Sequence, residues 1–453
     1  MTEEGIMIIE LQIDVRKYIK NGDLKTLKHL LEDQDPVIIY ETIKELKAAE
    51  KVVIFRLLLK SVAAEIFSML EPDEQLELVE LFTDEEVKSI IRDMDPSDRA
   101  ELLDELPDNV VIRILTLLPK DVREKTLEIL NYPEDSAGRI MSPNFVYVTR
   151  NMTVEGALEK IRRYGKDVDM VYTIFVTEGN RTLIGTINLE ELLFAEPKTF
   201  IEEIYTPNSP YVRTTTDQED VATIMKKLDL NAIATVDNDF RLVGVITIDD
   251  IVDVIEEEFT EDIHKMAGIS TIKTSYFHTS PFSFIKNRLP WLVGLLLVQS
   301  LSSFIVQGYE DILTTIPILA AFMVTMVDAG GNTGGQSSTM LIRSLALGEV
   351  DLEDWWRVFL KELYIGLILG LVLGIILFIR GFLISSDMFV NLAAGISVLI
   401  IIVFANIVGA MLPFLGKMLK IDPALMSGPL ITTVADLGGI LIYFYIASKI
   451  LGF

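Results

Sequence analysis

The sequence predicts a multi-domain membrane protein: an all-α helical-repeat domain in front, an α/β tandem repeat, a linker helix, and a five-helix α transmembrane domain at the back. Three observations predict it. Charge is segregated along the chain, with 31 Lys and Arg against 56 Asp and Glu in residues 1–285, a net of −25, and 9 against 11 in residues 286–453, a net of −2. Proline and cap residues recur about every 12 residues in the front part. Apolar runs of the ~20 residues that a bilayer crossing needs are confined to the final third.

Residues 1–131 form the acidic helical-repeat domain. Between Tyr40 and Leu130 the junctions Glu71-Pro72-Asp73, Asp95-Pro96-Ser97, Leu106-Pro107-Asp108 and Leu118-Pro119-Lys120 each place proline where a first helical turn tolerates it, with Asp or Ser to cap. Phe82-Thr83-Asp84 fills the gap, so a helix pair recurs about every 24 residues, a period typical of helical solenoids. The leucines between these junctions are core residues.

Residues 132–250 change period. Phe145-Val146-Tyr147-Val148 is strand-like, Thr153 to Tyr164 helical, Val171 to Val176 a strand, and Leu183-Ile184-Gly185-Thr186-Ile187 runs into a helix at Leu189. The same order returns with Tyr211-Val212-Arg213, a helix over Glu219 to Leu228, Ala232 to Val236, and Leu242 to Thr247 before a helix at Asp249. Two β-α-β-β-α units therefore stand in tandem. Residues 251–285 are the linker, a helix from Ile251 to Met266 rich in acids followed by a polar stretch.

Residues 286–453 hold five apolar segments, approximately Leu289–Val306, Ile312–Leu345, Val358–Phe382, Phe389–Leu415 and Ala424–Leu451. The N-terminus lacks the basic start and apolar core of a signal peptide, which leaves the front half in the cytosol. Lys286, Arg288, Arg343, Arg357, Lys361, Lys417 and Lys420 then fall at inner ends, with Arg380 and Lys449 outside. That bias agrees with an odd number of crossings and an external C-terminus.

The acidic surface excludes nucleic acid as a partner and favours cations or basic partners. With no cysteine and three scattered histidines, only hard oxygen ligands remain for a metal. No nucleophile–base pair or P-loop is present, so no enzyme is expected. Polar groups inside the apolar segments are the functional candidates, because they are costly unless they face protein or water. The second segment carries Asp328-Ala329-Gly330-Gly331-Asn332-Thr333-Gly334-Gly335-Gln336-Ser337-Ser338-Thr339, either a tight packing surface or part of a polar path. In the fifth, Pro429 removes a backbone donor and is expected to free a carbonyl near Leu425. Thr432 and Thr433 stand one turn before Asp436, so that hydroxyls and a carboxylate line one side. An Asp inside an apolar helix, with no basic neighbour in sequence, points to a cation pathway.

The tandem unit resembles a pair of CBS domains, most specifically at Gly244-Val245-Ile246-Thr247-Ile248-Asp249-Asp250. The resemblance implies Thr247 and Asp250 as contacts for ATP or another adenine nucleotide, with Asn188 and Glu191 in the matching slots of the first copy; many such pairs bind nothing. The whole order of domains is similar to the MgtE family of magnesium channels. So are Gly330 to Ser337, Phe404-Ala405-Asn406-Ile407-Val408-Gly409-Ala410-Met411-Leu412-Pro413, and Asp422-Pro423-Ala424 through Asp436. That resemblance implies a homodimer in a lipid bilayer whose fifth helices line a pore for hydrated Mg2+. Asp436 would be its ion site, joined by Thr432, Thr433, Gly428 and Asn332; some members carry Asn where Gly428 stands. It also implies closure by cytosolic Mg2+ held at Asp217, Glu219, Asp229, Asp250, Asp253, Glu258, Glu261, Asp262 and Asp422, with Asp95 and Asp98 from the helical domain. Mg2+ fits the pore chemistry, since it gives up water reluctantly and suits a site that reads its hydration shell. The alternatives are a secondary transporter working by alternating access and a membrane-tethered nucleotide sensor.

Overall fold

A computed structural model describes residues 11, 14–32, 34–44, 46–166, 168, 170–272, 276, 279–346, 348–426 and 428–453. The chain divides into two compact units, Met1–Glu258 and Phe259–Phe453.

The first unit opens with α1 (Leu24–Glu32), α2 (Pro36–Ile43), α3 (Ala48–Leu57), α4 (Lys60–Ser68), α5 (Pro72–Leu81), α6 (Asp84–Asp93), α7 (Pro96–Glu105), α8 (Asp108–Leu117) and α9 (Lys120–Leu130). From α2 to α9 each helix starts 12 residues after the previous one, at the Pro and cap junctions that the sequence marks. Proline opens α2, α5 and α7, where its missing N–H would have had no helical partner. Thr83 and Glu86 form a reciprocal capping box on α6. Alternate helices pack together, α2 on α4, α3 on α5, α4 on α6, α6 on α8 and α7 on α9, so the packing unit is the 24-residue pair. Phe55 meets Phe67 and Phe82 edge-on in the core, at ring distances of 6.1 and 5.6 Å. Arg99 is buried there and donates to the carbonyls of Ile91 (2.7 Å) and Met94 (2.6 Å) and to Thr126 Oγ1 (3.0 Å). A guanidinium thus satisfies carbonyls orphaned at the end of α6.

The repeat follows as α10 (Ala137–Ile140), β1 (Tyr147–Thr149), α11 (Val154–Tyr164), β2 (Thr173–Glu178), β3 (Thr182–Asn188), α12 (Leu189–Phe194), β4 (Thr206–Pro207), β5 (Tyr211–Arg213), α13 (Gln218–Lys227), β6 (Ala232–Val236), β7 (Leu242–Thr247) and α14 (Ile248–Met266). β1 pairs parallel with β2 and β2 antiparallel with β3; β5, β6 and β7 pair in the same way. The register slips between Val176 and Thr177 in one copy and between Thr235 and Val236 in the other, so even the irregularity is repeated. α10 packs on β5, β7 and α13, which binds the start of the first copy to the second.

The second unit contains α15 (Pro281–Gln299), α16 (Leu301–Gln307), α17 (Glu310–Thr315), α18 (Leu319–Ala346), α19 (Trp355–Gly381), α20 (Met388–Met418) and α21 (Gly428–Leu451). α20 is central and packs against α18, α19 and α21. Pro281–Gln307, Leu352–Gly381, Met388–Met418 and Gly428–Leu451 are long and apolar enough to cross a membrane. α18 has the length, 28 residues, but its polar run dilutes its apolar character. α15 buries no residue and exposes Leu292, Leu296 and Leu297, a surface suited to hydrocarbon rather than water. The α19–α20 seam rests on glycine: a Cβ at Gly370 would come within 2.7 Å of the Leu399 carbonyl oxygen.

Three boundaries differ from the sequence expectation: the first apolar segment, expected from Leu289, lies in a helix that already begins at Pro281, inside the expected linker. The second apolar segment, expected as one run from Ile312 to Leu345, is broken after Thr315. Pro317 lacks a donor and biases Ile316 away from helix, and Ile316 sits at φ −129°, ψ 75°. The fifth, expected from Ala424, begins with a single 3-10 turn, Pro423–Leu425, and its helix starts at Gly428. Pro429 is therefore in the first turn, where no helical hydrogen bond is lost, and the carbonyl expected to be freed inside the helix is not.

Candidate functional site

α18 and α21 pack together with α20 behind both. The polar run of α18 divides by face. Gly330, Gly331, Thr333, Gly334, Ser337 and Ser338 are buried, whereas Asp328, Asn332, Gln336 and Thr339 are exposed. The buried side permits close approach: a Cβ at Gly409 of α20 would stand 2.2 Å from the Gly334 carbonyl oxygen, and one at Gly331 2.8 Å from Thr432 Cγ2 and 3.4 Å from Asp436 Oδ1. Small residues on α18 thus make the wall beside Asp436.

Asp436 is half-buried on α21. Its Oδ2 accepts from Gln299 Nε2 of α15 at 3.5 Å, and its enclosed Oδ1 has no partner among the described residues. Thr432 and Thr433 stand four and three residues before Asp436 and flank its side of the helix. Thr432 is exposed and donates to the Gly428 carbonyl (2.9 Å), whereas Thr433 is buried and donates to the Pro429 carbonyl (2.9 Å). Both hydroxyls are thus engaged as donors to the backbone one turn earlier, and Thr432 stands with Asp436 beside Gly331. Gly428 opens α21, and a Cβ there would lie 4.0 Å from the Met266 carbonyl oxygen. Asn332 lies on the exposed face of α18 rather than among the contacts of Asp436.

The acids expected to bind a regulatory ion fall into separate groups. In the first unit, Asp95 faces Asp249 electrostatically, Asp98 faces Asp250 and Glu101 faces Asp253, each across from the α7 segment to α14. Burial, then Asp95 and Asp250, push Asp98 up to about 6 against hydrogen bonds from Ser68 and Ser97. Glu101 is pushed up to about 7 by the protein packed around it and then by Glu257, Glu105, Asp98 and Asp253. Because its side chain is itself exposed, water screens part of that rise. Burial also raises Asp253, and raises Asp250 although Thr247 donates to it twice. Glu258 accepts from the buried Gln218 at 2.7 Å.

Asp217 and Glu219 stand at the start of α13, where Asp217 Oδ1 accepts from Glu219 N at 2.9 Å as a helix cap. Asp229 sits in a left-handed turn just after that helix, at φ 50°. In the second unit, Lys265 bridges Glu261 and Asp422, reaching Asp422 Oδ2 at 2.8 Å. Burial pulls the Lys265 pKa down, but hydrogen bonds to Asp422 and Glu261 outweigh it and hold the ammonium above its ordinary range. Asp262 is raised by burial and then by Asp422. Among the described residues no three carboxylates or imidazoles converge closely enough to hold a metal ion, which is what like charges do without a counter-ion between them.

The nucleotide candidates act locally. Glu191 Oε2 accepts from Asn188 N at 2.9 Å, and Asp250 Oδ2 accepts from Thr247 N (3.0 Å) and Thr247 Oγ1 (2.6 Å), so each pair caps its helix. A small pocket lies in the repeat, with Thr247, Ser142, Asn144 and Thr173 as its polar lining; Asn188, Glu191 and Asp250 are outside that lining.

Several residues escaped the sequence reading. Glu101 follows Asp98 by three residues and Glu257 follows Asp253 by four, the spacings that put side chains on one helix face, so periodicity could have flagged both. Gln299 is a polar residue within the first apolar segment, and Glu362 of α19 accepts from Ser337 Oγ at 2.7 Å. No sequence signal pairs either with its partner.

The family described as "Divalent cation transporter" matches residues 323–446, the "MgtE intracellular N domain" matches residues 34–135, and the CBS domain matches residues 137–198 and 201–257. A magnesium transporter MgtE of Thermus thermophilus is 38% identical over 445 residues, 98% of this chain and 99% of that relative. Another of Bacillus subtilis is 27% identical across 97% of each chain. Among solved structures, the cytosolic domain of the Mg2+ channel MgtE in complex with ATP is similar at 34% identity and a TM-score of 0.52, covering 54% of this chain and 99% of that one.

Proposed function

The chain belongs to the MgtE family, whose relatives transport magnesium, and on that premise we propose that it is a Mg2+-selective channel admitting Mg2+ to the cytosol. The observation that carries the reading is Asp436, a carboxylate on a membrane-spanning helix with an enclosed, unpartnered oxygen beside the glycine wall of α18. A carboxylate so placed is costly unless a cation visits it. Two copies in a homodimer would face one path with two such groups, enough to attract a hydrated ion without stripping its water. In the full chain reconstituted in lipid, Mg2+ outside and little inside should give unitary Mg2+ currents. Uptake without unitary currents would make the protein an alternating-access carrier instead.

Internal Mg2+ closes the path in this proposal by binding between the acids of α7 and those of α14, Asp95, Asp98 and Glu101 on one side and Asp250, Asp253 and Glu257 on the other. Asp217, Glu219, Asp229, Glu258, Glu261, Asp262 and Asp422 are secondary candidates, since helix capping, a left-handed turn, Gln218 and Lys265 already occupy several of them. In this reading the acidic domains lie in the cytosol and the C-terminus outside, which the basic residues at inner helix ends support. A reporter fused after Phe453 should read as external and one at Met1 as internal; reporters on the same side would overturn this topology.

A further inference from the structure

Gln299 ends α15, and both α15 and α16 pack against α21. Its side chain is the polar interruption that touches Asp436, at 3.5 Å from Nε2 to Oδ2. The amide orientation follows from chemistry, because turning it over would set a carbonyl oxygen against a carboxylate oxygen. With Nε2 committed to Asp436, the carbonyl Oε1 is left over. Both Gln299 Oε1 and Asp436 Oδ1 are enclosed and without a hydrogen-bond partner among the described residues. Two acceptors, linked through one long hydrogen bond, thus stand ready at the proposed ion path. The hydration shell of a cation presents O–H donors alone, so acceptors are the groups that can read it.

We propose that Gln299 is a specificity-determining residue of the ion path: Oε1 accepts from the hydration shell of the ion at Asp436, while Nε2 orients the carboxylate. A neutral acceptor beside a carboxylate suits an ion that keeps its water, as Mg2+ does, over Ca2+, which takes more direct oxygen ligands. The inference rests on Asp436 facing the ion.

The test measures Mg2+ uptake against external Mg2+, with Ca2+ as competitor, in proteoliposomes holding the full chain. Gln299→Met keeps length and removes both polar atoms; its half-saturating Mg2+ concentration should rise about tenfold, and Ca2+ should compete better. Gln299→Glu keeps an accepting oxygen and adds a charge that attracts the ion, so its half-saturating Mg2+ concentration should not rise above the parent's. A Met variant that follows the parent curve, or Met and Glu variants shifted alike, overturns the proposal by making the residue mere packing. If the Met variant fails to fold, Gln299→Asn, which withdraws the amide by one methylene, must show the same rise, and a parental curve there also overturns it. Asp436→Asn run in parallel separates the two ideas. Loss of uptake there with a null at Gln299 sinks this inference alone, whereas parental uptake sinks the ion path as well.

Discussion

Asp436→Asn should abolish selective Mg2+ uptake while the fold and the proposed homodimer persist. A divalent ion about 6 Å from a carboxylate at an effective dielectric near 20 gains on the order of 5 kcal/mol, and each copy of the chain supplies one such group. Asn keeps the shape and the bond to Gln299 while dropping the charge, so the loss falls on the ion and not on the packing of α21 against α18. Even a quarter of that energy is about a tenfold change in occupancy, and we expect flux to fall by about 100-fold or more. Uptake by cells that depend on this chain for Mg2+, with size-exclusion profiles of the purified variant, checks both halves of the expectation. Unchanged uptake removes Asp436 from the mechanism, and a collapsed dimer makes it structural.

Neutralising the acids between α7 and α14 should uncouple the proposed channel from internal Mg2+. Asp98→Asn, Glu101→Gln and Glu257→Gln together remove both a repulsion and a set of ligands, and these act in opposite directions. Two carboxylates about 8 Å apart repel by roughly 2 kcal/mol at the same dielectric, whereas a divalent ion about 4 Å from one of them attracts roughly four times as strongly. Ligand loss therefore dominates, and the triple variant should conduct at internal Mg2+ concentrations that close the parent. The same acids give a pH signature without divalent ions. Asp98 and Glu101 are held up to about 6 and about 7, above ordinary values of 3.8 and 4.5. The compact arrangement is thus favoured when they are protonated, and that stabilisation is lost as pH rises through about 6 and 7. Corrected for the intrinsic base catalysis of exchange, protection in α7 and α14 of the full chain should fall between about pH 4 and pH 7, and Mg2+ at pH 7 should restore it. The triple variant should show neither response; one that closes and protects like the parent would place the sensor elsewhere.

Much of the fold was legible because its signals are local. The 12-residue spacing of helix starts from Pro36 to Lys120 follows from proline and cap chemistry at single positions, and the tandem repeat follows from a change of hydrophobic period. The long apolar helices were visible for the same reason. Where local reading failed, it failed on local geometry that periodicity blurs: Pro317 splits a run that looked continuous, and Pro429 sits in a first turn rather than inside a helix.

By itself the sequence determined the order of domains, the β-α-β-β-α order that the two copies share, the segregation of charge, and Asp436 as the costly group in the membrane third. Tertiary structure alone decided the company each polar group keeps. Gln299 meets Asp436 across 137 residues, Lys265 meets Asp422 across 157, and Arg99 closes the end of α6 while reaching Thr126 on α9. The same packing separated Thr433 from the exposed Thr432 and set Glu101 against Glu257. The physical reason is that backbone propensity and hydrophobic period act over one or two turns, whereas a hydrogen bond or a repulsion between distant residues depends on which helix faces come into contact, and that is fixed by side-chain volume across the whole core.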